Sequence, residues 1–334
     1  MAKRKRQKSS SNNFLTYVAW TLAVIALVLS SIIGGYYIGY KDAKNDIENQ
    51  TAIDKKKRLS MLQKLEIATS KKDKSSVNTR LKDVLKKESK IDTGAAAHEY
   101  GDGTLPEPPE APKRDVIRTS SKPKLAIIID DVSVRSHVNA IKSLGIPLTM
   151  SFLPPSKLRP NSAKLADKEN VYMVHLPMEA QNFSAEEPMT LRISDSDFKI
   201  SQRVKDIKKE FPRVSYINNH TGSKFTSNEL AMNRLIYALK SEDINFIDSR
   251  TTADTKAPTV MKNLGLNYVA RDVFLDHTMD KVSIIIQIKK AIQVAKLHGT
   301  AIAIGHPHAN TLLALHESKK LFKDVELVYI DRLY

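Results

Sequence analysis

The hydrophobic pattern divides the chain into three regimes. From Ser9 to Tyr40 no residue carries a charge, and 14–33 is an apolar centre. About 20 such residues span a hydrocarbon core of roughly 30 Å as a helix. From 42 to 91 apolar residues are sparse among Lys and Glu, and Leu59, Leu62, Leu65, Leu81 and Leu85 fall at helix-like spacing. That spacing predicts a helical stalk or a weak coiled coil, with a mobile solvated helix as the default. From Lys124 onward short apolar runs alternate with helical patterns. Strands are predicted at 125–129, 148–152, 171–174, 215–217, 245–247, 268–270, 300–304 and 327–330, with the clearest helices at 228–240 and 281–297. Gly145, Gly265 and Gly299 sit where helices should stop. This alternation predicts a parallel α/β fold, open or closed into a barrel.

Charge orients the first regime. Lys3, Arg4, Lys5, Arg6 and Lys8 precede the apolar segment, and Tyr36, Tyr37 and Tyr40 suit its far interface. Basic residues stay on the cytoplasmic side. The expected layout is therefore a cytoplasmic basic head (1–13), a single transmembrane anchor (14–40), a helical or mobile stalk (41–91) and a Pro/Gly-rich linker (92–121). A domain over 122–334 follows, outside the cytoplasmic membrane and periplasmic in a diderm bacterium. A cleaved signal peptide is the rival, but no Ala-x-Ala cleavage site follows the apolar segment. The linker contains Gly94, Gly101, Gly103, Pro106, Pro108, Pro109 and Pro112 and reads as extended and semi-rigid. The net charge of +16 is distributed along the chain: residues 1–121 hold 23 Lys and Arg against 14 Asp and Glu, and 122–334 hold 30 against 23. No nucleic-acid motif accompanies the basic residues, so anionic lipid or an anionic envelope polymer accounts for them. The absence of cysteine excludes disulfides and thiolate chemistry.

Chemistry gathers where predicted strands end. The first strand ends in Asp130-Asp131, the third in His175-Leu-Pro-Met-Glu179 and the fourth in Asn218-Asn-His-Thr-Gly-Ser223. The fifth ends in Asp248-Ser-Arg250 and the seventh in Gly305-His-Pro-His308. In α/β folds ligands bind at the carboxyl ends of strands. An Asp with two imidazoles suits a divalent metal such as zinc. Successive strand residues point to opposite faces, so one Asp can bind the metal while the other takes a different task, such as a base, with a further His as acid. Each residue also has a structural explanation: a half-buried His175, turn chemistry at His220, a hydrogen-bond anchor at His306, and Arg250 paired with Asp248. Convergence on one mouth favours the joint site.

Those residues in that order resemble the divergent polysaccharide deacetylases, relatives of the NodB-type carbohydrate esterases. The matching stretches are Ile129-Asp-Asp131, His175-Leu-Pro-Met-Glu179, Asn218-Asn-His-Thr-Gly-Ser223, Phe246-Ile-Asp-Ser-Arg-Thr251, Phe274-Leu-Asp276 and Ala301-Ile-Ala-Ile-Gly-His-Pro307. The resemblance implies a distorted (β/α) barrel and metal-dependent N- or O-deacetylation of an envelope polysaccharide or peptidoglycan. It makes Asp130 the base, Asp131 a metal ligand and His306 the general acid. The His-x-x-x-His metal motif of the NodB-type enzymes reads His175-x-x-x-Glu179 here, so either Glu179 or His220 completes a set begun by Asp131 and His175. We take His220. Glu179, Asn219, Asp248 and Arg250 are then substrate-binding or supporting residues. Val132-Ser133-Val134 replaces an expected glycine after the acid pair, and His277 stands where a smaller polar residue is expected.

Two other functions compete. A non-catalytic scaffold on the same fold would bind glycan or a cell-wall hydrolase regulator, and the altered metal motif supports it. A nucleotide-hydrolysing or receiver domain would share an acidic strand end. A P-loop enzyme would need Gly-x-x-x-x-Gly-Lys-Ser/Thr, which does not occur.

Overall fold

Ile127, Ile128 and Ile129 form the middle of β1 (Lys124–Val132), a strand buried on both faces. β-branched residues favour the pleated conformation, and burial on both faces is the mark of a parallel sheet. In the computed structural model the described residues are 122–182 and 186–333, together with Trp20 and Leu22. Apart from those two, the predicted head, anchor, stalk and linker lie outside them. Among the described residues no helix is long and apolar enough to cross a membrane.

After β1 the order is α1 (Arg135–Ser143), β2 (Thr149–Phe152), α2 (Ser162–Ala166), β3 (Tyr172–Met178), α3 (Asp197–Glu210), β4 (Tyr216–Thr221), α4 (Ser223–Thr226) and α5 (Glu229–Ser241). Then come β5 (Asn245–Ile247), α6 (Ala257–Asn263), β6 (Val273–Phe274), α7 (Lys281–His298), β7 (Thr300–Gly305), α8 (Ala309–Glu317) and β8 (Glu326–Val328). Every ladder is parallel, in the order β5-β4-β3-β2-β1-β7-β6, with β8 also paired to β1. The two helices predicted most clearly are α5 and α7. Asn228 and Asp280 cap them by accepting from Ala231 N and Ser283 N, and α7 stops at Gly299 with φ +76°.

Two expectations about strands need correction. The sixth strand was predicted at 268–270, but there only Ala270 bridges Asp248, and the ladder with β7 is made by Val273 and Phe274. One extended stretch does both jobs. Asp248 N donates to Val269 O and Arg271 N to Asp248 O, after which Asp272 N donates to Ile302 O and Leu275 N to Ile304 O. This crossing links β5 to β7 and curls the sheet toward a barrel. The eighth strand was predicted to reach Ile330. It stops at Val328 because Ile330 N donates to Thr149 Oγ1 instead of continuing the ladder.

The apolar residues sort by parity. Leu125, Ile127 and Ile129 belong to the large core shared with the helices. Ala126 and Ile128 join Met173, Ile247, Ile302, Ile304 and Val328 in a smaller cluster inside the curl. Phe274 and Tyr216 pack against that inner cluster. Side chains two apart share a face. The next inward position on each strand is therefore fixed: Asp130, His175, Asn218, Ser249, Asp276 and His306 all lie one polar layer above the inner apolar layer.

Candidate metal and proton-transfer site

Parity sends Asp130 into the mouth and would send Asp131 to the helix side. It does not, because β1 bulges. Ile129 pairs with Met150 and Val132 with Phe152, so β1 uses one residue more than β2 over this step. Asp131 takes up the excess at φ +55°. Both carboxylates consequently face the same imidazole: His175 Nδ1 is 3.6 Å from Asp130 and its Nε2 is 3.5 Å from Asp131. The expectation that the two acids part to opposite faces is thus overturned by a backbone irregularity.

Asp131, His175 and His220 offer one ligand atom each, all within 4.8 Å of one another, and all three are buried. His220 Nδ1 lies 2.9 Å from Asp131 Oδ1, and the two rings meet edge to face at 5.0 Å. His220 owes its aim to a left-handed turn. Thr221 (φ +52°) is β-branched and unusual there, and Gly222 follows at φ +94°. A Cβ on Gly222 would sit 2.9 Å from Met178 Cβ. Thr221 Oγ1 donates to Met178 O, while Thr221 O accepts from Asn219 Nδ2 and Thr251 Oγ1.

The protonation states fit a cation. Burial holds the His175 imidazole well below its ordinary value despite Asp131, so it is neutral. Its Nδ1 faces Asn218 Oδ1 at 3.0 Å, and a carbonyl can only accept. The proton is therefore on Nδ1, and Nε2 turns a lone pair toward Asp131. Burial pushes the Asp131 carboxyl up, but the adjacent His220 outweighs this and holds it well below the usual range. A lone pair facing a carboxylate at 3.5 Å is repulsive until a cation lies between them.

Across the mouth Asp276, His306 and His308 form a second group of the same composition. Asp276 Oδ1 lies 3.0 Å from His306 Nδ1, and Oδ2 accepts from His306 N at 2.6 Å and Thr311 Oγ1 at 2.7 Å. Gly305 permits this approach, since a Cβ there would lie 3.3 Å from Asp276 Oδ2. Burial alone would lower His306, but Asp276 reverses it by charge and hydrogen bond, with help from Asp131 and Asp130, and its pKa rises to about 9. Asp276 is lowered to about 2 against the pull of burial, chiefly by His306. Asp130 is the reverse case. Burial pushes it up to about 7, although His306 and the Asn218 amide favour its charged form. The mouth thus holds a carboxylate half ionised near neutral pH and an imidazolium beside it, the states that base and acid require.

Four predicted supporting residues lie behind this layer. Glu179 accepts from Lys224 Nζ at 2.7 Å and Ile193 N at 3.0 Å, bracing the loop after β3 against α4. It does not join the Asp131 group. Asn219 Oδ1 accepts from Ser249 N, tying β4 to the loop after β5. Asp248 accepts from Arg250 N, Thr255 Oγ1 and Tyr268 OH. The Arg250 guanidinium donates to Tyr268 OH, so the expected pairing of its side chain with Asp248 runs through the phenol. Asn218 and Asp276 were not assigned a role from sequence. Parity identifies both, being two residues past inward-packing Tyr216 and Phe274.

Residues 127–334 match a family model described as divergent polysaccharide deacetylase. The uncharacterized protein YibQ of Escherichia coli (strain K12) is 34% identical over 196 residues, 58% of this chain and 61% of that protein, so the chain spans about three fifths of that relative's length. An uncharacterized protein of Haemophilus influenzae is 31% identical over 216 residues, 63% of this chain and 76% of that protein. Among solved structures, an uncharacterized protein from Agrobacterium tumefaciens C58 superposes with a TM-score of 0.57 at 16% identity, covering 66% of this chain and 93% of that one. At that identity the likeness concerns the fold.

Proposed function

The chain belongs to the divergent polysaccharide deacetylase family, and we propose that it is a membrane-anchored, metal-dependent carbohydrate deacetylase acting on an envelope polysaccharide outside the bacterial cytoplasmic membrane. One observation carries this. A carboxylate and two imidazoles suited to a divalent cation share a mouth with a carboxylate of raised pKa and a protonated imidazole. Two nitrogen donors and one oxygen donor favour zinc, with positions left for water and substrate. When bound, the cation polarises an acyl carbonyl and acidifies water.

The chain's own residues move the protons. Asp130 takes one from the attacking water as its oxygen bonds to the acetyl carbon. His306 has Nδ1 committed to Asp276, so Nε2 holds the proton given to the departing nitrogen or oxygen as the C–N or C–O bond breaks. Acetate and a free amine or hydroxyl leave. Residues 14–40 would anchor the chain with its N-terminus inside, and the Pro/Gly-rich segment 92–121 would let the domain reach the polymer.

The test uses the full chain in detergent. We expect one zinc per chain after dialysis, and acetate release from N-acetylated chito-oligosaccharide or O-acetylated peptidoglycan that a chelator stops. A metal-free chain that releases no acetate would defeat this proposal in favour of a glycan-binding or hydrolase-regulating scaffold. Protease added to spheroplasts should cut the chain within or before its folded domain. Full protection until lysis would refute the orientation.

A further inference from the structure

Asn218 makes more contacts to the reacting layer than any assigned role explains. It is fully buried on β4, opposite His175 on β3. Its Oδ1 accepts from Ser151 Oγ at 2.6 Å and faces His175 Nδ1 at 3.0 Å. Its Nδ2 lies 2.9 Å from both Asp130 oxygens and 2.9 Å from Ser249 Oγ. Consider turning this amide over. Ser151 and Ser249 could follow, because a hydroxyl donates or accepts. His175 could follow by moving its proton to Nε2. Asp130 could not, because both of its oxygens lie 2.9 Å from the Nδ2 position and at most one of them can carry a proton to donate. Asp130 thus fixes the amide, and the amide fixes the imidazole.

We infer that Asn218 is a positioning residue that selects the His175 tautomer with Nε2 free for the cation and keeps the His175 Nδ1 proton off Asp130. The inference rests on the metal-centre reading above. The second half follows from distance: Asp130 Oδ2 is only 3.6 Å from His175 Nδ1, and the amide oxygen at 3.0 Å takes that proton first. Without Asn218 the imidazole would lean on Asp130, tying up the base and swinging Nε2 off its line to Asp131. Partners that orient a metal-binding histidine contribute about ten- to hundredfold in metal affinity.

Three measurements on the full chain test it. In wild type without metal, the ¹⁵N shifts of His175 should show a proton on Nδ1 and none on Nε2. A proton on Nε2 would overturn the inference, whether or not zinc binds. Asn218→Leu, similar in volume with no hydrogen-bonding atoms, should weaken zinc affinity by about ten- to hundredfold. The exchange Asp130→Asn with Asn218→Asp puts donor and acceptor back in matching positions. It should restore zinc affinity to near wild type and the His175 shifts with it, while turnover stays lost with the base. If Asn218→Leu folds and binds zinc as tightly as wild type, or the exchange fails to recover what leucine loses, Asn218 is merely packing. If wild type binds no zinc yet shows the expected His175 shifts, the metal reading fails and the role of Asn218 as tautomer selector stands.

Discussion

Two groups on opposite sides of the mouth have the same composition, one aspartate and two histidines, and differ in what surrounds the aspartate. Asp131 lies 2.9 Å from His220 Nδ1 and, at 3.5 Å, meets the lone pair of His175 Nε2. Asp276 is surrounded by donors: the His306 amide, His306 Nδ1 and Thr311 Oγ1. A carboxylate that faces an acceptor lone pair beside its contact with His220 has room to bind a cation. One already holding three donors has little left to offer a cation and instead stabilises an imidazolium. Residue type therefore does not assign these groups. The position of the proton on each histidine does, and a neighbour sets it: Asn218 on one side, Asp276 on the other.

The sharpest way to break this comparison is to make the same change on both sides. Asp131→Asn should strip the cation, and with it activity. Asp276→Asn should leave metal content near wild type yet reduce turnover by about two to four orders of magnitude, the range for losing a general acid. Zinc analysis and acetate release on both variants decide it. If Asp276→Asn loses the metal and Asp131→Asn keeps it, the two groups have been assigned the wrong way round.

A smaller effect should appear in stability against pH. His306 has its pKa raised from 6.5 to about 9, so its contribution is fully present below 6.5 and is lost as pH rises through 9. Asp276 is depressed from 3.8 to about 2, so its contribution is present above 3.8 and is lost as pH falls through 2. Both shifts describe one ion pair and are not summed. Between pH 4 and 6.5 the pair contributes in full, at most about 3 kcal/mol. Urea unfolding of wild type and His306→Ala at pH 6 and pH 9.5 should show the wild-type advantage shrinking at the higher pH. An advantage that grows with pH would mean His306 is neutral in the fold.

The strand ends were legible in the sequence because a parallel strand is an apolar run, and its first polar inward residue is conspicuous. Asp130, His175 and His306 follow directly, and His220 lies two residues beyond Asn218 on β4. Parity also marks Asn218 and Asp276, although residue type alone does not separate Asn218 from its equally polar neighbour Asn219. The bulge at Asp131 was not legible, since it depends on how β1 pairs with a strand some twenty residues away. Nor was the double pairing of 268–275, because a stretch that leaves one ladder for another carries the same apolar signal as a strand. Glu179 left two readings open for a different reason. It occupies a motif position but points to Lys224.

That choice between Glu179 and His220 supplies the smallest expected effect. Glu179 and His220 are the two candidates for the third place in the proposed metal group, and their surroundings differ. Lys224 Nζ and Ile193 N already engage both Glu179 oxygens, and its partner lysine is partly solvated. His220 is buried against Asp131. Glu179→Gln keeps the shape and an acceptor for Ile193 N, and removes a charge from a partly screened pair. It should cost about 1 kcal/mol of stability or less and leave zinc stoichiometry unchanged. His220→Ala removes a ligand nitrogen and should weaken zinc binding far more. Calorimetric titration of both variants with zinc separates the cases. Loss of binding in Glu179→Gln with retention in His220→Ala would mean that the loop after β3 rearranges around the metal and that Glu179, four residues after His175, is the third ligand.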